Sequence, residues 1–269
     1  MKIIRSKNKL KRLIANEKNL GFVPTMGAIH KGHLSLIKKS IFQCNKTIVT
    51  IFINKPQFNK KNDFKKYPRI LNKDISLLRK VKVDYLYIPK YSQIYPEGIN
   101  KKIKINPLEN KLCGKFRPGH FKAVVDVIDR FIKIINPKKI YLGSKDMQQL
   151  IIIKDFFIKN KIKTKVVPCK ILRENSGIPY SSRNMLLKNS ERKIASQIYK
   201  LILKSKNKLL KKIINKKDIM NKIYSFGVRK IDYLTIYNIN SLNKKNNKKK
   251  MYKIFVAYYL GNTRLIDNI

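Results

Sequence analysis

Two histidines separated by two residues, His30 and His33, stand in the run Pro24-Thr25-Met26-Gly27-Ala28-Ile29-His30-Lys31-Gly32-His33. Paired imidazoles at that spacing can both face a phosphate, and the glycines let the backbone come close. Three other stretches carry groups of the same kind. Ile51-Phe52-Ile53-Asn54-Lys55-Pro56-Gln57-Phe58 offers amides that could bond a small hydroxylated acid. Lys115-Phe116-Arg117-Pro118-Gly119-His120-Phe121 sets cations and an aromatic ahead of a helix, where a carboxylate could dock. Gly143-Ser144-Lys145-Asp146-Met147-Gln148-Gln149 supplies a lysine for phosphate, an aspartate for Mg2+ and glutamines for hydroxyls. Singly, each also reads as an ordinary loop, and a lone histidine is more often structural than catalytic.

Their placement argues otherwise. Short β-branched runs at residues 20–23, 47–53, 84–88, 139–142 and 164–167 alternate with helical patterns. Leu71, Ile75 and Leu78 form one such face, and Ile128, Phe131, Ile132 and Ile135 another. This alternation predicts an α/β fold, a doubly wound parallel sheet of Rossmann-like type, whose ligands bind beyond the carboxyl ends of the strands. The 24–33 run and two of the other three stretches follow such strand ends. His33 is expected at a solvent-facing helix start. After Ile171 the pattern changes to a loop over 173–184, a Lys-rich helix near 190–210 and strands at 230–237 and 253–259, a small α+β lobe. The expected domains are residues 1–174 and 175–269. The run 243–250, nearly all Lys and Asn, reads as a solvated loop.

Composition bounds the partners. The 269 residues carry 63 Lys+Arg against 15 Asp+Glu, a formal net charge of +48. Such charge raises a nucleic-acid reading, but 52 of the cations are Lys and only 11 Arg, and they run through every segment instead of forming one stripe. Lys, Ile and Asn make up 119 residues and Ala only five, the mark of an AT-rich coding bias on neutral surface positions. No specific nucleic-acid partner is expected, although the field should draw anionic substrates. Cys44, Cys113 and Cys169 follow no metal or disulfide spacing and read as reduced thiols. With no apolar leader and no run of ~18 apolar residues, a cytoplasmic protein without a membrane partner is expected.

The motifs P-T-M-G-x-x-H-x-G-H, Q-F, Y-P-R (Tyr67-Pro68-Arg69), R-P-G-H-F, G-x-K-D-x-Q-Q and S-S-R-N (Ser181-Ser182-Arg183-Asn184), in this order, resemble the pantothenate synthetase family, the pantoate:β-alanine ligases. The likeness reaches the tail Leu260-Gly261-Asn262-Thr263-Arg264-Leu265-Ile266-Asp267-Asn268, which is similar to that family's last strand. The resemblance implies a two-step ligation. ATP and pantoate give a pantoyl adenylate and pyrophosphate, and β-alanine then displaces AMP to give pantothenate.

It also implies residue roles. His30, His33, Lys145, Ser181, Ser182 and Arg183 would be catalytic, with His33 at the position of the proton donor. ATP would be bound by Met26, Gly27, Ala28, Ile29, His30, Lys31, Gly32, His33, Gly143, Ser144, Lys145, Asp146, Leu172, Tyr180, Ser181, Ser182 and Arg183. Gln57 and Gln149 would hold pantoate, with Gln57 also at β-alanine, and Asp146 and Asp74 would hold Mg2+. Asn54, Arg117 and His120 would lie near the acyl and amine substrates, the 181–184 loop would act as a lid, and the assembly would be a homodimer. The chain departs from the pattern at Pro56, Ser144 and Ile178-Pro179-Tyr180, none of which removes a catalytic group. A nucleotidylyltransferase that stops at an adenylylated product is the runner-up among enzymes, and RNA binding is the alternative outside them.

Overall fold

A computed structural model describes residues 1–242 and 251–269. The run 243–250, expected as a solvated loop, lies outside the described residues. The rest forms two compact units, Met1–Ser144 with Gln148–Lys170, and Lys145–Met147 with Ile171–Ile269.

In the first unit, apolar runs without polar alternation become the strands of a parallel sheet, the central ones buried on both faces and the edge ones partly exposed. The strands are β1 (Lys2–Ile4), β2 (Leu20–Thr25), β3 (Lys46–Ile51), β4 (Tyr85–Tyr87), β5 (Lys139–Gly143) and β6 (Lys165–Cys169). They lie in the order β1-β4-β3-β2-β5-β6, and every neighbouring pair is parallel. The main helices are α1 (Lys7–Ile14), α2 (Lys31–Gln43), α3 (Leu71–Lys80), α4 (His120–Ile135) and α5 (Met147–Lys159). Five strands fall on the predicted runs. β1 was not foreseen, because three residues are too few to show a period, yet it pairs with β4 and buries Ile4.

Alternate residues of β2 serve opposite faces. Val23 joins Ile29, Ile37 and Leu78 in the core under α2 and α3. Phe22 meets Phe131 of α4, with ring centroids 5.7 Å apart, and Phe131 also receives Phe52 and Tyr87 edge-on. Truncating Phe131 would cost about 3–5 kcal/mol by the usual scale for buried aromatics.

The strand order also creates an opening. From β2 the chain builds β3 and β4 on one side, then returns to build β5 and β6 on the other, so the winding reverses between β2 and β5. Pairing of β2 with β5 covers Gly21 and Phe22, opposite Lys139 and Ile140, whereas pairing with β3 runs on to Thr25 opposite Ile51. The carboxyl ends of β2 and β5 therefore part where ligands of doubly wound sheets bind.

The second unit holds an antiparallel sheet of β7 (Lys230–Asn238), β8 (Tyr252–Leu260) and β9 (Thr263–Asn268) in that order. Helices α6 (Asn189–Leu210) and α7 (Lys216–Ser225) pack on it through Ile198, Ile202, Ile223, Ile254 and Val256. Among the described residues, no helix is long and apolar enough to cross a membrane. All three cysteines are buried and unbridged, and burial pushes the Cys169 thiol up, which keeps it protonated.

Candidate active site

The loop after β2 is a tight left-handed turn, with φ of +81° at Gly27 and +50° at Ala28. A Cβ on Gly27 would stand 3.0 Å from Asp74 Oδ2 and 3.2 Å from Ile51 Cγ2, so the turn is a glycine position on both counts. The Thr25 hydroxyl donates to the Thr50 carbonyl at 2.6 Å and accepts the Gly27 N–H at 3.1 Å. Asp74, in the first turn of α3, takes the next two amides: Ala28 N–H reaches Oδ2 at 2.9 Å and Ile29 N–H reaches Oδ1 at 2.7 Å. Burial pushes this carboxyl above its usual range, while the two amides pull it back.

Asp74, expected at Mg2+, is 1% exposed and accepts two amides of this loop, one on each oxygen. Ala28 and Ile29, expected among the residues that bind ATP, direct their amides at this internal carboxylate.

Helix α2 begins immediately after. His30 caps it, and His30 Nδ1 accepts the His33 backbone N–H at 3.3 Å. The two imidazoles stack with centroids 3.9 Å apart and planes 20° from parallel. A neutral His30 that accepts at Nδ1 carries its proton on Nε2, so its other edge is a donor. Both rings belong to half-buried residues, so His33 is less solvent-facing than expected, while Lys31 is exposed.

At the end of β3, residues Lys55–Gln57 form a short 3-10 turn with Pro56 inside it. Asn54 and Gln57 are in contact across this turn, with Asn54 Nδ2 donating to Gln57 Oε1 at 3.2 Å and to the Ala123 carbonyl at 3.1 Å. Tyr95 donates its hydroxyl to Asn54 Oδ1 at 2.7 Å. Gln57 Nε2 reaches Met26 Sδ at 3.0 Å, which links this glutamine to the turn after β2.

Arg117 and His120 converge on the backbone of the same glutamine. Arg117 donates to the Gln57 carbonyl at 3.0 Å, and His120 Nδ1 donates to it at 2.8 Å. Arg117 also donates to His120 Nε2 at 3.1 Å, which fixes the tautomer. These two side chains, expected near the acyl and amine substrates, are thus seen supporting Gln57.

After β5 come Gly143, Ser144, Lys145 and Asp146. The Lys145 ammonium lies 3.8 Å from Asp146 Oδ1, with side-chain exposures of 18% and 46%. The two glutamines that follow differ in a way their sequence could not show. Gln148 is buried, accepting from Cys113 N–H and donating to the Leu108 and Lys111 carbonyls, while Gln149 is half-buried.

In the second unit, the 172–184 segment is more ordered than the predicted loop. Arg173 and Pro179 form a bridge, Tyr180 N–H bonds the Leu172 carbonyl, and Gly177, at φ +87°, makes the turn with no room for a Cβ beside the Tyr199 ring. Ser181 caps a 3-10 turn by accepting Arg183 N–H at 3.3 Å, Ser182 is buried, and Arg183 and Tyr180 are half-buried. Asn184 donates to Glu174 and to the Pro179 carbonyl, and Arg192 bonds Glu174 and the Asn184 carbonyl.

Sequence reading missed what holds this region. Arg173 pairs with Asp267 through both oxygens at 2.6 and 2.9 Å, and its guanidinium lies over Tyr199. Burial still pushes the Asp267 carboxyl above its usual range. Its neighbour Asn268, 1% exposed, donates to the Lys145 carbonyl at 2.8 Å and accepts from the Lys253 ammonium at 2.8 Å. The only sequence signal was the resemblance of the tail.

A doubly wound parallel sheet whose first helix after β2 starts at a stacked histidine pair, capped by His30, has the form of the α/β class in which ligands bind beyond the carboxyl ends of the strands. The comparisons narrow this: the pantoate-beta-alanine ligase family model matches residues 2–269, and the chain belongs to that family. It is 41% identical over 254 residues to a pantothenate synthetase of Clostridium botulinum, covering 93% of this chain and 90% of the relative. It is 39% identical over 257 residues to one of Sulfurihydrogenibium, covering 94% and 92%. Among solved structures, a pantoate-beta-alanine ligase of Francisella tularensis, complexed with beta-gamma ATP and beta-alanine, superimposes with a TM-score of 0.87 at 38% identity, covering 100% of this chain and 97% of that one. A Thermus thermophilus pantothenate synthetase gives 0.89 at 30% identity, covering 100% and 99%.

Proposed function

We infer that this chain condenses pantoate with β-alanine at the expense of ATP, releasing AMP and pyrophosphate by way of a pantoyl adenylate. The observation that carries the reading is the stacked His30–His33 pair at the start of α2, in the chain just past the carboxyl end of β2. In the first step a pantoate carboxylate oxygen attacks the α-phosphorus, and the bond to pyrophosphate breaks with its electron pair leaving on the pyrophosphate. Negative charge builds on the phosphates, so preorganised donors and cations lower the barrier. His30, through Nε2–H, His33, as proton donor, and Lys145, Ser181, Ser182 and Arg183 take those roles, with the remaining residues of the two ATP-binding stretches, Leu172 and Tyr180 lining the nucleotide.

Gln57, held by Asn54, Arg117 and His120, and Gln149 bond the pantoate hydroxyls and carboxylate, with Gln57 also at the amine. In the second step the neutral amine of β-alanine attacks the adenylate carbonyl, AMP departs with the bridging oxygen and its electron pair, and the nitrogen gives up one proton to leave the amide. The adenylate must be kept from water, and in this reading the 181–184 loop is the lid.

Asp146, with its half-exposed carboxylate, suits an Mg2+ ion held mostly by the nucleotide's own phosphates, and the buried, doubly bonded Asp74 does not. When bound, Mg2+ neutralises phosphate charge. The positive field steers ATP and pantoate inward, and a cytoplasmic homodimer is the assembly this reading carries.

The test is product analysis with each substrate omitted in turn. AMP and pyrophosphate should appear in step with pantothenate only when ATP, pantoate, β-alanine and Mg2+ are all present. ADP with phosphate, or an adenylylated end product without AMP, would refute the reading.

A further inference from the structure

The left-handed turn at Gly27 and Ala28 raises a question about Asp74 that its presence near the nucleotide loop does not answer. Ala28 is not glycine, and a non-glycine residue at φ +50° carries a cost of order 1–2 kcal/mol. Something must over-determine that conformation. The tight turn through Gly27 and Ala28 aims the Ala28 and Ile29 amides at one carboxyl group, making a concave anion site out of backbone N–H groups. In this chain the occupant is the protein's own carboxylate, with one Asp74 oxygen on each amide at 2.9 and 2.7 Å.

The supply of that carboxylate is also built. Asp74 sits in the first turn of α3, where the helix dipole favours negative charge, and its own N–H bonds the Ile70 carbonyl. It reaches the loop from 46 and 45 residues away in sequence, a long-range clamp and not a local turn. The residue after Ile29 is His30, the cap of α2, whose Nδ1 holds the His33 amide. A shift of the 27–29 turn therefore carries the cap, and with it the tautomer of His30 and the stacking of His33.

We propose that Asp74 is a positioning residue for adenylate formation, one that clamps the 27–29 turn so that His30 and His33 present their imidazoles in register, and that it is not a ligand of Mg2+. The proposal rests on the reaction inferred above, but its structural half stands without it.

The experiment uses full-length protein and Asp74→Asn, in which the amide can accept from one loop N–H while its NH2 group faces the other. Three quantities are read: steady-state kcat and KM, the Mg2+ concentration giving half-maximal rate, and the imidazole 15N–1H NMR signals in the absence of ATP and Mg2+. The chain has three histidines, and His120, bonded to the Gln57 backbone carbonyl and Arg117 and to neither Asp74 oxygen, is an internal control. The clamp predicts that kcat falls about 10²-fold, the scale of a roughly 1 Å misplacement. It also predicts that the pantoate KM and the Mg2+ midpoint stay within about twofold of wild type, and that the His30 and His33 signals move while His120 stays.

A second variant, Asp74→Asn combined with Ala28→Gly, recovers part of the lost kcat, because glycine takes the left-handed turn without the clamp. A Mg2+ midpoint raised severalfold with unmoved imidazole signals would overturn the proposal in favour of a metal ligand. A loss of thermal stability with no imidazole change and no rescue by the double variant would overturn it in favour of a merely structural carboxylate. Failure of the ligase reading would show instead as an inactive wild type, with the imidazole comparison still deciding the clamp.

Discussion

The turn after β2 and the 172–184 segment of the second unit both rest on one buried aspartate, yet the aspartates do opposite things. Asp74 accepts two backbone amides and shapes a turn, whereas Asp267 accepts a guanidinium and anchors a strand end. The first region is made of backbone conformation and imidazoles. The second is made of long cationic side chains tied by ion pairs and by the tail amide of Asn268. The first should therefore fail mainly in rate when its shape is disturbed, and the second in stability when its charges are unpaired.

The largest effect expected on that contrast is His33→Ala, which removes a donor from the first region. Turnover should fall by about 10²- to 10³-fold, with a melting temperature close to wild type because the residue is half-buried on a helix start; calorimetry beside the AMP assay checks both. Next comes Asp267→Ala in the second region. Leaving the half-buried Arg173 without its partner should cost about 1–3 kcal/mol in urea unfolding, with the turn after β2 untouched.

Gly177→Ala follows, at about 1–3 kcal/mol, since the residue needs φ +87° and its Cβ would strike the Tyr199 ring; the urea midpoint reports it. Asn268→Ala is milder. Losing one bond to the Lys145 carbonyl should lower kcat severalfold, on the scale of about 1 kcal/mol, and an equal loss in the pantoate KM instead would sever the tail from Lys145. Smallest is the effect of salt on any RNA retention. A filter-binding titration should show weak binding that disappears at moderate salt and is unchanged by His33→Ala, as expected of scattered lysines.

The legible parts of this molecule were those written in short-range pattern. The central strands β2 to β5, buried on both faces, read as apolar runs, the β-branched residues 164–167 marked the edge strand β6, and the H-x-G-H spacing placed its histidines at a helix start. Three-residue β1 lacked a period. Helix α7 was hidden because Ile219 and Ile223 are its only fully buried side chains among lysines and polar residues.

The clamps were invisible for a different reason. Asp74 meets its loop across 46 residues and Asn268 meets Lys145 across 123, distances at which a single sequence carries no signal. Gln148 and Gln149 were equivalent as letters, and packing against residues 108–113 alone tells them apart. The charge, so prominent in composition, guided little. Most lysines lie on exposed positions, and of the lysines at strand ends the proposed reaction calls chiefly on Lys145.

The central claim is that pantoate is activated through its own carboxylate oxygen as an adenylate. Pantoate labelled with 18O in its carboxylate, turned over with ATP, Mg2+ and β-alanine, tests it directly. Attack of that oxygen on the α-phosphorus, followed by aminolysis at the carbonyl, delivers one labelled oxygen to each AMP and none to pyrophosphate, as mass spectrometry of the nucleotide would show. Unlabelled AMP, or label in inorganic phosphate beside ADP, would contradict the account.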